Sequence, residues 1–459
     1  MPVPEAPQRL REIARVVGPG IVVAATGVGA GDLVSAAKAG AAYGLPILWA
    51  AVAGAVLKYV LAEGVARWQL ATGTPLLEGW VRGFGWPVRA YFLVYLVLWT
   101  FIVSAALMSA CGLAAHALFP WLSVGAWAAA HAGLGCLFVW LEGYGIFERT
   151  MKWAIGLMFV AIVGTALIHG ASPAEAGRGL LVPTVPHGSV LLLLGVIGGV
   201  GGTLTLLSSS YWMQEKGWSG PAWSRGVRFD LGVGYLLTAV FGVCLILLAG
   251  TVLLPQGIRI EGNRGVLEMA GILGRRFGRA GELVFLVGFW AAVASSLLGV
   301  WQGVPYLFAH YVGLLRRPTA PAPAGSSMPE EGPVTPETPA GPPSPEPRMP
   351  RAEPVTPDVP APPVSTRGRL YRGYLLFMTF PPMVLLALQK PVWLIVVYAA
   401  VGALFMPFLA GTLLVLNNRR DRLGSLRNGV VANLGLLLCL ALFAYLAIRE
   451  ITSAVFGSS

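Results

Sequence analysis

Asp32 is the one acidic residue in a mostly apolar stretch, Gly18 to Gly40, and it directly follows the alternating glycines of Gly27-Val28-Gly29-Ala30-Gly31. A second glycine-rich interruption, Gly198-Gly199-Val200-Gly201-Gly202-Thr203, lies in the apolar stretch Gly195 to Trp212. Glycine weakens a helix by about 1 kcal/mol per residue relative to alanine, so both stretches are expected to break. A broken helix frees carbonyls and amides, and in hydrocarbon these survive only where they line a cavity or are buried in protein. Freed carbonyls beside a carboxylate are oxygen ligands for a cation. The candidate ligands are Asp32, Gly29 and Thr26 at the first break and Gly202 and Thr203 at the second, with Thr205 and Ser208 as further hydroxyls. Two bland readings compete. Glycines also allow close helix packing, and a Ser or Thr in an apolar helix can bond the carbonyl one turn back. Two breaks at matching positions, one carrying an acid, favour a binding site. A carboxylate at membrane depth is functional by default, although Lys58 or Lys38 would serve as a purely structural partner.

The elements that must position these residues are membrane spans. Hydrophobic residues are 56% of the 459 and charged residues 12%, against roughly 25% charged in a soluble domain. Mean hydropathy is +0.70. Residues 90–141 carry no charge at all, too long for one helix of about 20 residues and right for two. The patterning predicts eleven helices, near 16–41, 44–66, 90–112, 118–140, 151–170, 188–212, 230–254, 282–312, 371–388, 391–416 and 428–448. No alternating period of a transmembrane barrel is present. The two interrupted helices are then spans one and six, corresponding positions of two five-span halves, 16–170 and 188–416, with 428–448 as an eleventh helix.

The net charge of +11 reflects topology rather than nucleic-acid binding. With the N-terminal segment, 1–15, in the cytoplasm, inner segments hold 22 basic residues and outer segments nine, as positive-inside placement requires. The exception is the outer loop 255–281, whose five arginines suggest a short amphipathic helix on the surface. Residues 318–366 are Pro-rich and lack an apolar face; they read as a disordered cytoplasmic insert whose PxxP repeats offer at most weak partner binding. Cys111, Cys136, Cys244 and Cys439 show no ligand spacing, so neither a disulfide framework nor a zinc site is expected. No apolar core precedes a cleavage site in the first fifteen residues, so no cleaved signal peptide is expected. The five histidines do not pair at ligand spacing. Lys58 and Glu63 in span two are expected to pair or snorkel, Arg228 and Asp230 to sit at the membrane interface, Asn417, Asn418 and Asn433 to cap or gate the last inner loop, and Pro407 to kink span ten.

The chain resembles the Nramp family of proton-coupled divalent metal transporters, within the group that shares the leucine-transporter fold. The resemblance is carried by Gly18-Pro19-Gly20, by Ala39-Gly40 and Tyr43-Gly44, and by Ala71-Thr72-Gly73. It implies an all-α polytopic membrane protein with a five-plus-five inverted repeat, discontinuous helices one and six and about eleven transmembrane helices. It also implies a divalent metal cation as substrate, a multi-pass location in the cell membrane, and neither enzymatic activity nor a cofactor. The site departs from the family pattern. Where the family carries Asp-Pro-Gly-Asn, this chain has Gly29-Ala30-Gly31-Asp32, so the ligating Asp falls on Gly29 and the ligating Asn on Asp32. The family's Met-Pro-His falls on Gly202, Thr203 and Leu204, and its later histidine on Ser209. Loss of the soft thioether weakens selection for manganese or iron over magnesium and calcium. No acid lies between Arg89 and Leu141, where the family's third span supplies acids for protons, which argues against proton coupling. The expected function is secondary transport of a divalent cation, manganese- or iron-like or magnesium, by alternating access. The alternatives are a transporter of the same fold for a small organic solute or monovalent ion, and, more remotely, a scaffold or sensor that uses the Pro-rich insert.

Overall fold

The computed structural model describes residues 6–7, 10–15, 17–141, 143–169, 171–199, 203–258, 260, 265–316, 365–388, 390, 394, 397–398, 401–402 and 405–456. The Pro-rich insert therefore lies almost wholly outside the described residues, and Gly202 lies outside them too.

After a short helix α1 (Leu10–Arg15), the first span is two helices, α2 (Pro19–Gly27) and α3 (Ala30–Tyr43), bent by 57°. Proline at the first position of α2 starts that helix without wasting an amide. The break is the residue pair Val28 and Gly29, in non-helical conformations. There Gly29 N–H donates to the Gly27 carbonyl at 3.0 Å instead of reaching back to Ala25, so the end of α2 keeps free carbonyls. The sixth span is likewise divided, into α10 (Val190–Gly199), a 3-10 turn Leu204–Leu206 and α11 (Ser208–Glu215).

Around these run the continuous spans α4 (Leu48–Thr72), α6 (Trp86–Leu118), α7 (Val124–Leu141), α8 (Tyr144–His169) and α12 (Ser224–Val252), with the short helices α5 (Leu76–Gly83) after α4 and α9 (Pro173–Leu181) after α8. Next comes α13 (Gly265–Arg316), interrupted at Gly278, where φ is +73°. Its portion before Gly278 supplies the helix expected in the loop 255–281. Span nine begins as α14 (Arg369–Thr379) and changes to 3-10 winding over Pro381–Leu388. Adjacent prolines, Pro381 and Pro382, remove two amides and clash with the preceding turn, which ends regular α-helix there. Helix α15 (Phe405–Leu416) is the longest described stretch of span ten. Pro407 falls in the first turn of α15, and residues 403–404 lie outside the described residues. The chain closes with α16 (Arg420–Leu423) and α17 (Val430–Phe456).

Among the described residues seven helices are long and apolar enough to cross a membrane, nine when each bent pair counts as one span. The remaining two of the eleven expected spans are the divided sixth and the partly described tenth. The described residues form helices and turns, without a strand among them. Helix α2 sits in the middle, packed against α8, α12 and α13, while α3 packs against α10, α12 and α13.

Asp230 fixes the entry of α2. Its carboxylate accepts from Gly18 N–H at 2.8 Å and Gly20 N–H at 2.6 Å, taking two of the amides that a helix start leaves without intrahelical partners. The residue is buried in the second turn of α12, with its carboxylate turned into the protein. Gly20 and Gly234 meet backbone to backbone beside it, with no room for a Cβ on either.

Candidate cation site

Asp32 is the third residue of α3. Its Oδ2 accepts from Gly29 N–H at 3.3 Å, so the carboxylate caps the helix it belongs to and sits in the positive end of that helix's dipole. It also lines a narrow crevice with Val28, Ser35, Val196, Thr238 and Phe241. The crevice thus joins the first break to the first half of span six and to span seven. Lys58 in α4 is fully buried, with its ammonium 5.7 Å from the centre of the Phe443 ring. It is near enough to Asp32 to attract it electrostatically. Glu63 is engaged elsewhere, with Arg67 and Arg228.

The other expected ligands take separate directions. Thr26 is buried at the end of α2, its Oγ1 without a hydrogen bond in the protein and pressed against Gly299 of α13. Gly29 is covered by Ser296. Thr203, after the second break, is buried with an unpartnered Oγ1, and its methyl lies beside Gly402 of span ten. Ser208 is buried and unpartnered as well, whereas Ser209 donates back to the Leu206 carbonyl at 2.6 Å. The described geometry therefore places Asp32 in the crevice, Thr26 and Gly29 against span eight, and Thr203 against span ten. It does not gather them at one point. Among the described residues no three His, Cys, Asp or Glu side chains come together as a metal-holding group.

The break carries a feature that the sequence reading missed. Ser295 Oγ donates to the Ala25 carbonyl at 2.8 Å and also lies 3.0 Å from the Ala292 carbonyl. Ser296 Oγ approaches the Thr26 carbonyl at 2.9 Å and the Val28 carbonyl at 3.2 Å. The carbonyls that the interruption frees are thus met by two hydroxyls of span eight. The available signal was the pair Ser295-Ser296 itself, adjacent polar residues inside a long uncharged run. Tyr398 of span ten also reaches the break, its ring 3.3 Å from the position a Cβ on Gly31 would take.

A bundle of apolar spans with two interrupted helices five spans apart, and an acid at the first interruption, has the frame of a leucine-transporter-like secondary transporter. Comparison with known proteins gives the family. The sequence profile of Nramp, natural resistance-associated macrophage protein-like, matches residues 20–322, about two thirds of the chain, and the chain belongs to this family. Similar curated proteins are named divalent metal cation transporter MntH. The one from Chromohalobacter salexigens is 28% identical over 186 residues, 39% of this chain and 42% of that protein. The alignment thus spans less than half of that relative. The one from Erwinia tasmaniensis is 26% identical over 316 residues, 66% of this chain and 75% of the relative. Among solved structures, one of a histidine-to-alanine variant of the Eremococcus coleocola manganese transporter superposes with a TM-score of 0.74 at 15% identity, covering 100% of this chain and 91% of that one. A glutamate-to-glutamine variant of the same transporter gives 0.75 at 14% identity with the same coverage. At that identity the likeness establishes the fold: the leucine-transporter-like arrangement.

Proposed function

We propose that this chain carries a divalent metal cation across the cell membrane by alternating access, with Asp32 as the anchoring ligand. The observation that carries the reading is the position of Asp32. It lies at the break of span one, on a crevice shared with spans six and seven, where the family places a metal ligand. The Asp32 carboxylate, together with the oxygen-only ligand set expected at the two breaks, favours a hard cation that retains water, magnesium ahead of manganese. Rocking of one helix bundle against the other would expose the site to each side in turn. In this reading the N-terminus is cytoplasmic, the repeats are 16–170 and 188–416, and the Pro-rich insert contributes no part of the transport path. The protein works as a carrier, not as an enzyme.

A second reading, a substrate that is not a divalent metal, is favoured by Lys58. Its buried ammonium offsets the charge of Asp32, and no thioether or second carboxylate stands at the breaks.

Uptake into proteoliposomes separates the two. Manganese, magnesium and calcium would be compared, with a pH-sensitive dye enclosed. Saturable flux of a divalent cation, abolished in Asp32→Ala while expression and folding persist, supports the first reading. Undiminished saturable flux in Asp32→Ala removes Asp32 from the site, and absence of any divalent flux in the folded wild type gives the second reading precedence. A dye signal that follows the metal would restore proton coupling.

A further inference from the structure

Helices α4 and α12 form an antiparallel pair. Glu63 meets Arg228, the rings of Tyr59 and Tyr235 meet edge to face, and Gly242 packs on Ala51. At the Arg228 end of this pair a second crevice opens between α4, the first turn of α12 and the turn before α17. Its polar lining is Glu63, Arg67, Ser224 and Arg228, and Val227 and Leu426 are part of its apolar wall. Two arginines face one glutamate, so the crevice carries an excess positive charge. The two are not used alike. Arg67 is spent: its Nε and Nη2 donate to the Glu63 carboxylate and its Nη1 to Asn428. Arg228 gives only its Nε to Glu63, at 2.9 Å. Its two terminal amino groups engage no acceptor among the described residues, and the side chain is half exposed. A guanidinium anchored at Nε, with its fork of N–H groups open, matches two oxygens of a phosphate. The Ser224 hydroxyl lies one turn earlier on the same face of α12 and is a further donor.

What adjoins the crevice selects the kind of phosphate. In an antiparallel helix pair, the residue that follows each contact falls on the same side of both helices. Here these residues are Val52 after Ala51, Phe229 after Arg228 and Leu236 after Tyr235, and all three are exposed apolar side chains. Val56, one turn on from Val52, is exposed as well. Gly232, between Phe229 and Leu236, has open space where a side chain would stand. An apolar groove thus leads from the crevice along the two spans. We propose that the crevice and groove are a site for an anionic glycerophospholipid, with the phosphodiester on Arg228 and Ser224 and an acyl chain lying over Gly232 between Val56 and Leu236. Basic pockets between spans at one membrane face recognise such headgroups. Glu63 does not repel the phosphate, because Arg67 neutralises it and Arg228 presents the net charge. Exposed Arg225 and Arg427 flank the crevice and disfavour a zwitterionic headgroup with its own cation. A soluble phosphate ester shares the headgroup chemistry but has nothing to place in the groove. The lipid bridges span two, span seven and the turn before span eleven, and it holds them together whatever ion Asp32 carries.

The test is native mass spectrometry of the purified full chain in a neutral detergent, titrated with phosphatidylglycerol, phosphatidylcholine or glycerol 3-phosphate. One saturable phosphatidylglycerol is expected, bound at least tenfold more tightly than phosphatidylcholine and not displaced by excess glycerol 3-phosphate. Arg228→Gln should weaken it at least fivefold. Arg420→Gln, at an exposed arginine of α16 outside the crevice lining, should leave it unchanged. Gly232→Leu fills the groove without altering charge and should also weaken it at least fivefold. Absence of a preference over phosphatidylcholine overturns the proposal. So does an equal loss in Arg228→Gln and Arg420→Gln, which would be attraction to the basic end at large, and so does displacement by glycerol 3-phosphate, which would make this a site for a soluble ester. Should Arg228→Gln fail to fold, Gly232→Leu decides, since replacing a glycine inside a helix favours the helix. Weakened phosphatidylglycerol binding in that variant supports the site, and unchanged binding overturns it. No metal is present in the assay, so the outcome is independent of metal uptake.

Discussion

Ser296 Oγ lies 2.8 Å from the position that a Cβ on Gly29 would occupy, while the same oxygen reaches the carbonyls of Thr26 and Val28. The serine of span eight and the glycine of span one are matched: one fills the volume that the other leaves. This gives a physical account of the most conspicuous departure from the family motif. An aspartate at this place would have to displace Ser296 from the carbonyls it satisfies.

Gly29→Asp, which restores the family's residue, is therefore expected to destabilise the protein by about 1–3 kcal/mol through overpacking, and to abolish rather than improve metal uptake. Combining it with Ser296→Gly should recover most of the stability. Thermal unfolding of the single and double variants in detergent checks this. Equal midpoints for the two would show that the serine is not the obstacle.

Lys58 sets the charge of the Asp32 crevice. It is fully buried and attracts Asp32 electrostatically. A positive charge at that place opposes an incoming cation by about 1–2 kcal/mol at the effective dielectric of a partly hydrated site. Lys58→Met keeps the length and apolar stem and removes the charge. It is expected to lower the half-saturating concentration of the transported divalent cation about tenfold. An unchanged or raised value in the folded variant would mean that Lys58 does not act on the substrate.

Asp230 holds the start of α2 through Gly18 and Gly20. Asp230→Asn retains one acceptor and turns an amide N–H₂ toward a backbone N–H, leaving a buried donor without a partner. A loss of about 1–3 kcal/mol is expected, read as a lowered thermal midpoint, with Asp230→Ala at least as damaging. Stability unaffected by Asp230→Asn would disconnect the cap from the fold.

The frame of the site was legible because its signals are compositional. Long uncharged runs mark spans, and glycines around 29 and 199 mark breaks whatever packs beside them. Asp32 stood out because an acid in such a run needs a reason. The capping role of Asp230 was not legible because sequence shows only its place near the start of a span, whereas its side chain is used by Gly18 and Gly20, more than 200 positions away. Ser295 and Ser296 were invisible for a related reason. A serine in an apolar helix can bond its own backbone, as Thr165 and Thr238 do here with the carbonyls four residues back. Only the neighbouring broken helix, with carbonyls to spare, gives these two serines another role. Lys58 and Glu63 looked like a pair by spacing, but Glu63 turns to Arg67, one helical turn on, and to Arg228 of α12.

That last cluster carries a prediction of its own. Glu63 and Arg67 are buried, and Arg67 extends the pair by donating to Asn428 at 2.7 Å. Asn428 N–H donates to the Asn417 carbonyl at 3.0 Å, and Asn417 donates to the Gly64 carbonyl at 2.8 Å. Asn418 and Asn433, expected as cap or gate groups, hold each other through reciprocal amide bonds of 2.9 and 3.0 Å. The network ties α4 to the turn before α17, and Arg228 joins α12 to it. Arg228 is half exposed, with a side-chain exposure of 50%, so water screens it and its removal should matter by less than about 1 kcal/mol. Glu63 has no such relief. Glu63→Gln leaves the buried Arg67 guanidinium without its counter-charge, which costs about 3–5 kcal/mol. Replacing both members, Glu63→Gln with Arg67→Met, removes the orphaned charge and should recover a large part of that loss. Thermal midpoints are thus expected to rank Arg228→Ala close to wild type, the double variant lower and Glu63→Gln lowest. A Glu63→Gln protein as stable as Arg228→Ala would mean that the pair is solvated and the network does not hold these helices together.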